Sequence, residues 1–172
     1  INGVKPRLSE AQISEVMQIF QAEISAKREA QQKLADESTA LQSEINRKEG
    51  NDFLIANKQK SGVMTTDSGL QYRVIRSGAG VRPNAKSTVE VHYVGRLLDG
   101  TEFDSSLKRG VPAQFGVTQV IPGWTEALQL MREGAKWELF IPADLAYGPA
   151  GQGPIGPNET LVFEVELLKA NI

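Results

Sequence analysis

Cysteine is absent from the chain, and histidine occurs once, at position 92. Without cysteine there can be no disulfide, no thiolate nucleophile and no cysteine-ligated metal. A histidine-dependent triad or a two-histidine zinc site would have to rely on His92 alone, so the sequence argues against both. Because His92 lies between Val91 and Tyr93, strand alternation turns it to the face opposite theirs. A structural or solvent-exposed histidine is therefore favoured over a catalytic one.

A strong charge of one sign and long apolar runs are also absent. Lys and Arg number 19 against 21 Asp and Glu, and the formal net charge of −2 gives no general reason to expect nucleic-acid binding. No apolar run approaches the roughly 18 residues that a membrane span needs. The 172 residues, 40% hydrophobic and 23% charged, are typical of a globular protein with one ordinary domain and an appendage.

The first third of the chain is predicted to form one long helix. Ser9 followed by Gln12 matches a capping box, and from there to about Asn57 there is no proline and one glycine, Gly50. The beginning carries an apolar stripe with helical spacing, formed by Ile13, Val16, Met17, Phe20 and Ile24. Because the stripe thins afterwards, we expect a solvated arm whose stripe pairs with another element or chain. A helix folded back on the domain is the alternative.

After a break at residues 60–69, the pattern changes to alternating strands. The alternating segments are Leu70–Val74, Val89–Leu97, Trp137–Ile141 and Leu161–Leu167. Asp99-Gly100 is a hairpin-turn signal, and only Trp124 to about Met131 is predicted to be a short helix. We therefore predict an α+β fold. A long helical arm (residues 1–60) precedes a domain (61–172) in which a curled antiparallel sheet wraps around one short helix.

Gly151, Gly153 and Gly156 have the G-x-G-x-x-G spacing of a dinucleotide fingerprint. That motif works only after a strand and at the start of a helix, whose N-terminus receives the phosphates. Here Pro154 and Pro157 interrupt it, and a strand pattern follows. The segment is therefore predicted to be a flap shaped by proline and glycine, and no cofactor is expected.

The segment Val120–Trp124 stands within a widely spaced set of aromatic residues that contains one carboxylate. The set comprises Tyr93, Phe103, Asp104, Tyr147 and Phe163. Isolated aromatics are most often core residues, but Trp124 would begin the helix that the sheet surrounds, and Tyr147 adjoins the flap. An aromatic cage with one carboxylate and no conventional catalytic group suits rotation about a prolyl bond, which has a barrier of about 18–20 kcal/mol and breaks no covalent bond. Arg109 is the candidate partner that keeps Asp104 ionised.

Five ordered motifs resemble those of the FKBP-type peptidyl-prolyl cis-trans isomerases over about residues 68–170. They are Val91–Tyr93, Asp99–Ser106, Val120–Trp124, Leu145–Gly148 and Thr160–Phe163. The long helix, Trp124–Met131 and Gly153–Thr160 further resemble the macrophage infectivity potentiator (Mip) branch of bacterial cell-envelope isomerases.

This resemblance implies an enzyme that isomerises X-Pro bonds of unfolded or nascent protein clients by desolvation and hydrogen bonding, and so assists folding. It implies that Tyr147 donates to a substrate carbonyl, that Asp104 lies beside the twisting amide and that Trp124 forms the floor. The implied catalytic residues are Asp104, Tyr147, Phe103 and Trp124, supported by Arg109. The implied substrate-binding residues are Tyr93, Phe115, Val120, Ile121, Ile155 and Phe163.

The resemblance also implies binding of rapamycin-type macrolide inhibitors and a homodimer of the full-length protein. It places the protein in the periplasm or at the outer membrane of the cell envelope, with the cytoplasm as the alternative. Because the chain begins at Ile1 without an initiator methionine or signal peptide, we expect a trimmed product that lacks much of the dimerisation module. Ala113, where many members carry a pocket phenylalanine, and Gln152, at a flap position that can be histidine, are expected to alter substrate preference and inhibitor affinity.

Two other functions compete with this interpretation. A holdase chaperone would bind unfolded clients through the charged arm and a cleft, and would isomerise prolyl bonds only incidentally. A purely structural dimerisation rod would leave the aromatic set unexplained.

Overall fold

The computed structural model describes residues 8–172, and its first element is a single helix of 48 residues, α1 (Glu10–Asn57). The main-chain N–H of Ser9 donates to Gln12 Oε1 at 2.9 Å, and the main-chain N–H of Gln12 donates to Ser9 Oγ at 3.2 Å. These reciprocal bonds form the predicted capping box and satisfy donors that a helix start leaves free. The long N-terminal helix is confirmed.

The chain divides into two compact units between Leu41 and Gln42, inside α1. In the first unit the described side chains are exposed, apart from half-buried Ile24. The predicted apolar stripe is thus solvent-facing, with exposed fractions of 49–57% at Ile13, Val16, Met17 and Phe20. The last part of α1 belongs to the same compact unit as the sheet. A functional domain boundary near residue 60 stays a prediction.

Seven strands form one antiparallel sheet in the order β1-β2-β6-β7-β3-β4, with β5 also paired to β3. The strands are β1 (Val63–Thr65), β2 (Gln71–Arg76), β3 (Thr88–Leu97), β4 (Glu102–Ser105), β5 (Ala113–Gly116), β6 (Lys136–Ile141) and β7 (Leu161–Lys169). The predicted turn at Asp99-Gly100 joins β3 to β4, and Gly100 has the positive φ of 88° that favours glycine there. The alternating segments predicted from the sequence lie in β2, β3, β6 and β7.

The helix α3 (Pro122–Leu130) packs its buried side, including Ala127 and Leu128, into the core that the sheet encloses. Pro122 occupies the first turn, where a missing N–H costs nothing. At Gly123 a Cβ would lie 2.6 Å from Ile141 Cγ2, so glycine permits the close approach of α3 to β6. The α+β architecture of a sheet around one short helix is confirmed.

Strand β3 shares one of its edges between two short strands. Its first half pairs with β5 and its second half with β4, which leaves His92 and Tyr93 without a strand partner on that edge. Buried Ser106, at the start of the short helix α2 (Ser106–Arg109), fills this gap. The main-chain N–H of Tyr93 donates to Ser106 Oγ at 2.8 Å, and His92 Nδ1 lies 3.0 Å from the same oxygen. His92 therefore has a structural position.

Between β6 and β7 the chain makes two short 3-10 turns, Ala143–Leu145 and Gly148–Ala150. Within residues 8–172, no helix is both long enough and apolar enough to cross a membrane.

Candidate active site

A cavity of about 460 Å³ lies between the start of α3, strands β3, β4, β5 and β7, and the loop after β6. Its lining consists of Tyr93, Phe103, Asp104, Phe115, Gln119, Val120, Ile121, Trp124, Tyr147, Gln152 and Phe163. The volume is within the range of small-ligand sites. The lining includes nine of the ten residues that the sequence assigned to catalysis or substrate binding.

Trp124 forms the floor of this cavity, and three aromatic rings meet its indole at close to right angles. The ring centres of Tyr93, Phe163 and Phe115 lie 5.1, 5.2 and 5.7 Å from it. Such edge-to-face contacts are the favoured geometry for aromatic pairs. The indole Nε1 is buried and has no hydrogen-bond partner among residues 8–172. Because that nitrogen is shut off from solvent, Trp124 offers a ligand its apolar ring surface and not its donor.

Gly95 on β3 makes room for two of the wall rings. It is paired with Phe163 on β7, and a Cβ at this position would lie 2.7 Å from Phe163 Cε1 and 2.6 Å from Phe103 Cζ. The rings of Phe103 and Phe163 meet edge to face at 5.5 Å directly above it. Sequence reasoning missed this role, although a glycine inside a strand pattern is a recognised sign of close approach.

The carboxylate of Asp104 is held by two donors. Tyr93 Oη donates to Oδ2 at 2.5 Å, and Arg109 Nη1 donates to Oδ1. Arg109 Nη2 also donates to Tyr93 Oη at 2.9 Å, so the three side chains form a closed ring of contacts. Burial opposes ionisation of Asp104, but the two hydrogen bonds and the positive charge of Arg109 outweigh it and lower the pKa of the carboxyl group. Asp104 is therefore ionised at neutral pH.

Tyr147 also lines the cavity, and its hydroxyl is a free donor. Burial, and then the negative charge of Asp104, raise the pKa of the Tyr147 hydroxyl above its ordinary value, so it is protonated at neutral pH. No side-chain hydrogen bond within residues 8–172 uses this hydroxyl. The cavity thus combines aromatic walls, one ionised carboxylate that is already paired, and one phenol that is not.

Two family models match the chain. One, described as FKBP-type peptidyl-prolyl cis-trans isomerase, covers residues 80–168, and the other, described as the domain amino terminal to it, covers residues 1–74. The chain belongs to the FKBP-type peptidyl-prolyl cis-trans isomerases.

Bacterial relatives of this FKBP-type isomerase match nearly the whole chain. It is 51% identical to the outer membrane protein MIP of Legionella longbeachae, over 98% of this chain and 70% of that protein. It is 46% identical to the FKBP-type isomerase FkpA of Aeromonas hydrophila, over 96% of this chain and 59% of that protein. The crystal structure of FkpA from Escherichia coli superposes with a TM-score of 0.77 at 40% identity, over 96% of this chain and 74% of that one.

One residue predicted for substrate binding is missing from the lining of this cavity. Ile155, assigned to substrate binding, does not line the cavity; it is 6% exposed in the core. Its main chain exchanges two hydrogen bonds of 2.9 Å with Gln152, which lines the cavity in its place. Gln119 also lines the cavity, and nothing in the sequence pointed to it. Ala113 on β5 packs against the core without reaching the cavity, whereas Phe115 two residues on does reach it.

The glycine-rich segment 151–156 does not resemble a dinucleotide site in three dimensions. It makes a turn closed by the pairing of Gln152 with Ile155, and the next regular element is strand β7, not a helix. Within residues 8–172, no three His, Asp or Glu side chains cluster in a way that could hold a metal ion.

Proposed function

We propose that this cavity accelerates rotation about X-Pro bonds in unfolded or nascent protein clients, and that it does so by desolvation and directed hydrogen bonding. The observation that carries the proposal is the pairing of a cavity walled by aromatic rings with an unpartnered, protonated Tyr147 and an ionised Asp104. None of these groups is arranged as a nucleophile and base, and rotation requires no such arrangement.

The aromatic walls act on the ground state. A planar amide is more dipolar than a twisted one, so removing water from it raises its free energy more than that of the twisted form. Binding that favours the twisted form over the planar one accelerates the reaction. Lowering a barrier of about 19 kcal/mol by about 7 kcal/mol corresponds to a rate gain of about 10⁵.

The polar groups act on the twisted state. Tyr147 donates to a substrate carbonyl, and Asp104 lies beside the rotating amide. Because Arg109 and Tyr93 hold the carboxylate in one orientation, its field needs no reorganisation during the reaction.

The test is the rate of cis-trans exchange in an X-Pro peptide, followed by a protease-coupled assay or by NMR. The Tyr147→Phe/Asp104→Ala variant should lose at least about tenfold in kcat/KM, since it removes one donor and one charge. Tyr72→Phe is the matched control, because Tyr72 stacks on Trp137 with ring centres 4.4 Å apart and does not line the cavity. Equal values of kcat/KM for the double variant and the wild type would contradict the proposal.

A holdase activity is the second candidate, and the exposed stripe of α1 favours it. Four apolar side chains on one helix face, Ile13, Val16, Met17 and Phe20, are about half exposed, and such patches mark interaction surfaces. Suppression of client aggregation should survive Tyr147→Phe/Asp104→Ala and should fall in Met17→Ser/Phe20→Ser. The candidate fails if the stripe variant protects clients as well as the wild type does.

The same stripe supports a homodimer of the full-length protein. Sedimentation over a range of concentrations should show self-association that Met17→Ser/Phe20→Ser weakens. A concentration-independent monomer mass for the full-length protein would contradict it.

Two further proposals concern location and inhibitors. A location at the outer membrane or in the periplasm is supported by the similarity to the outer membrane protein MIP of Legionella longbeachae, and fractionation of cells that express the protein tests it. Rapamycin-type macrolides should compete with X-Pro peptides for the cavity. The absence of a ring at Ala113 and the amide at Gln152 should set their affinity.

A further inference from the structure

The loop Tyr147–Thr160 takes part in two different contacts, one with the cavity and one with α1. Through Tyr147 and Gln152 it contributes to the cavity, and through its last residues it contacts the part of α1 after Gln42. Both surfaces belong to the compact unit 42–172. The same loop therefore contacts both α1 and the cavity.

The contacts with α1 are polar and specific. Asn158 Nδ2 donates to Ser43 Oγ at 2.7 Å, and Asn46 Nδ2 donates to the carbonyl oxygen of Pro157 at 2.8 Å. Asn46 is only 7% exposed, and its Oδ1 accepts from Gln42 Nε2 at 2.8 Å. Because its oxygen is engaged along the helix, its NH₂ group faces the loop.

Gly50 brings the helix and the loop into direct contact. A Cβ at this position would lie 2.2 Å from Thr160 Oγ1, and Thr160 is itself buried. The close approach leaves the end of the loop little freedom to move relative to α1.

Asn158 links these contacts to the cavity. It is the one non-glycine residue within 8–172 that has a positive φ, 52°, a conformation that asparagine tolerates better than most residues. Its main-chain N–H donates to the carbonyl oxygen of Gly148 at 2.8 Å. Gly148 directly follows Tyr147, so a chain of two hydrogen bonds runs from Ser43 to the residue beside the free phenol.

We infer that Ser43 and Asn46 are positioning residues for Tyr147. By fixing Pro157 and Asn158 against α1, they hold the Asn158–Gly148 bond and thereby the hydroxyl of Tyr147 over the cavity. The inference rests on the proposed isomerase function of that cavity. It makes the end of α1 part of the catalytic unit and not only a connection to it.

The experiment compares Ser43→Ala/Asn46→Ala with the wild type and with Ser38→Ala, a matched change at an exposed position of the same helix. The double variant should lose about three- to tenfold in kcat/KM, the effect expected when hydrogen bonds that orient one donor are lost. In the Tyr147→Phe background the same double change should cause no further loss, because groups that act through one hydroxyl are not additive.

A readout independent of activity is the exchange of the Asn158 amide hydrogen, which reports the bond to Gly148. Exchange should become about three- to tenfold faster in Ser43→Ala/Asn46→Ala and stay unchanged in Ser38→Ala. If the double variant fails to fold, Asn158→Gly replaces it, since glycine keeps the positive φ and the N–H but removes the bond to Ser43.

The outcomes separate the two proposals. If the wild-type chain has no isomerase activity, the proposed function is wrong. Faster exchange of the Asn158 amide in Ser43→Ala/Asn46→Ala would even then support the positioning role of Ser43 and Asn46. Unchanged Asn158 exchange overturns the positioning whatever the activity. An undiminished loss of kcat/KM in the Tyr147→Phe background also overturns it, because the two residues would then act on general stability and not through Tyr147.

Discussion

The aromatic cavity and the seam between α1 and the Tyr147–Thr160 loop are two contrasting packings in the same compact unit. In the cavity, perpendicular rings gather around Trp124 and one paired carboxylate. At the seam, the positions of α1 that contact the loop hold small or amide side chains: Ser43, Asn46 and Gly50. Each packing also depends on one glycine that admits a neighbour, Gly95 in the cavity and Gly50 at the seam. Ring shape fixes the first packing, and hydrogen-bond pairing fixes the second.

The largest expected effect comes from Gly95→Ala. The added methyl group would overlap two rings that are already in contact, so we expect a loss of about 2–3 kcal/mol in the free energy of unfolding. Prolyl isomerase activity should fall with it, because the wall formed by Phe103 and Phe163 must move. Urea unfolding and the X-Pro exchange assay measure the two effects. A stable and fully active variant would show that the rings move aside easily and that cavity shape is not decisive.

A smaller effect is expected from the matched change Gly50→Ala. Replacing a helical glycine by alanine contributes about 1 kcal/mol of helix propensity. The collision with Thr160 should outweigh this gain and leave a net loss of about 1 kcal/mol. Urea midpoints measure it, with Ala40→Gly in the exposed part of α1 as the reverse control. If the urea midpoint of Gly50→Ala were higher than that of the wild type, α1 and the loop could separate enough to admit the methyl group. Hydrogen bonds alone would then hold the seam together.

The smallest expected effect is on the pH dependence of stability, to which Asp104 in the cavity and Glu159 at the seam should contribute in opposite directions. Hydrogen bonds that outweigh burial lower the pKa of Asp104 in the cavity. Ionised Asp104 therefore stabilises the folded state fully above the ordinary aspartate pKa of about 3.9. This stabilisation is lost as the pH falls through the lower pKa that Asp104 has in the folded protein. At the seam, burial and then repulsion from Asp99 and Glu49 raise the pKa of Glu159. Glu159 therefore keeps its proton to a higher pH in the folded protein than in the unfolded chain. The free energy of unfolding falls as the pH rises from the ordinary glutamate pKa of about 4.3 through the raised pKa of the folded protein.

Urea midpoints between about pH 2 and about pH 8 test this opposition. Asp104→Asn should flatten the acid limb of the profile, whereas Glu159→Gln should raise stability at neutral pH. Both changes should be modest, because both groups are partly exposed to solvent. If the two variants changed the pH profile of the urea midpoint in the same direction, Asp104 and Glu159 would not have opposite electrostatic effects on stability.

Most of the cavity lining could be predicted from the sequence because its residues stand in the ordered motifs by which the chain resembles the FKBP-type isomerases. The seam could not. Its positions on α1 follow helical spacing, but their side chains are polar or absent, and hydrophobic periodicity cannot detect a contact face made of Ser43, Asn46 and Gly50. The resemblance implied that Ile155, in the flap, binds substrate. In an irregular loop no period reveals which way a side chain points, and it lies in the core instead.

The divided edge of β3 has a consequence for how this protein could acquire new clients. Ser106 closes the gap between β4 and β5, and the connection that follows it, residues 107–112, is exposed. Extra residues inserted after Gly110 would therefore lengthen a surface loop without breaking a strand pairing. Arg109, which contacts the carboxylate at the rim of the cavity, immediately precedes that point. Insertions there would place new side chains close to Arg109 and the cavity carboxylate, which makes this connection a position where the surroundings of the cavity could be varied without disturbing the sheet.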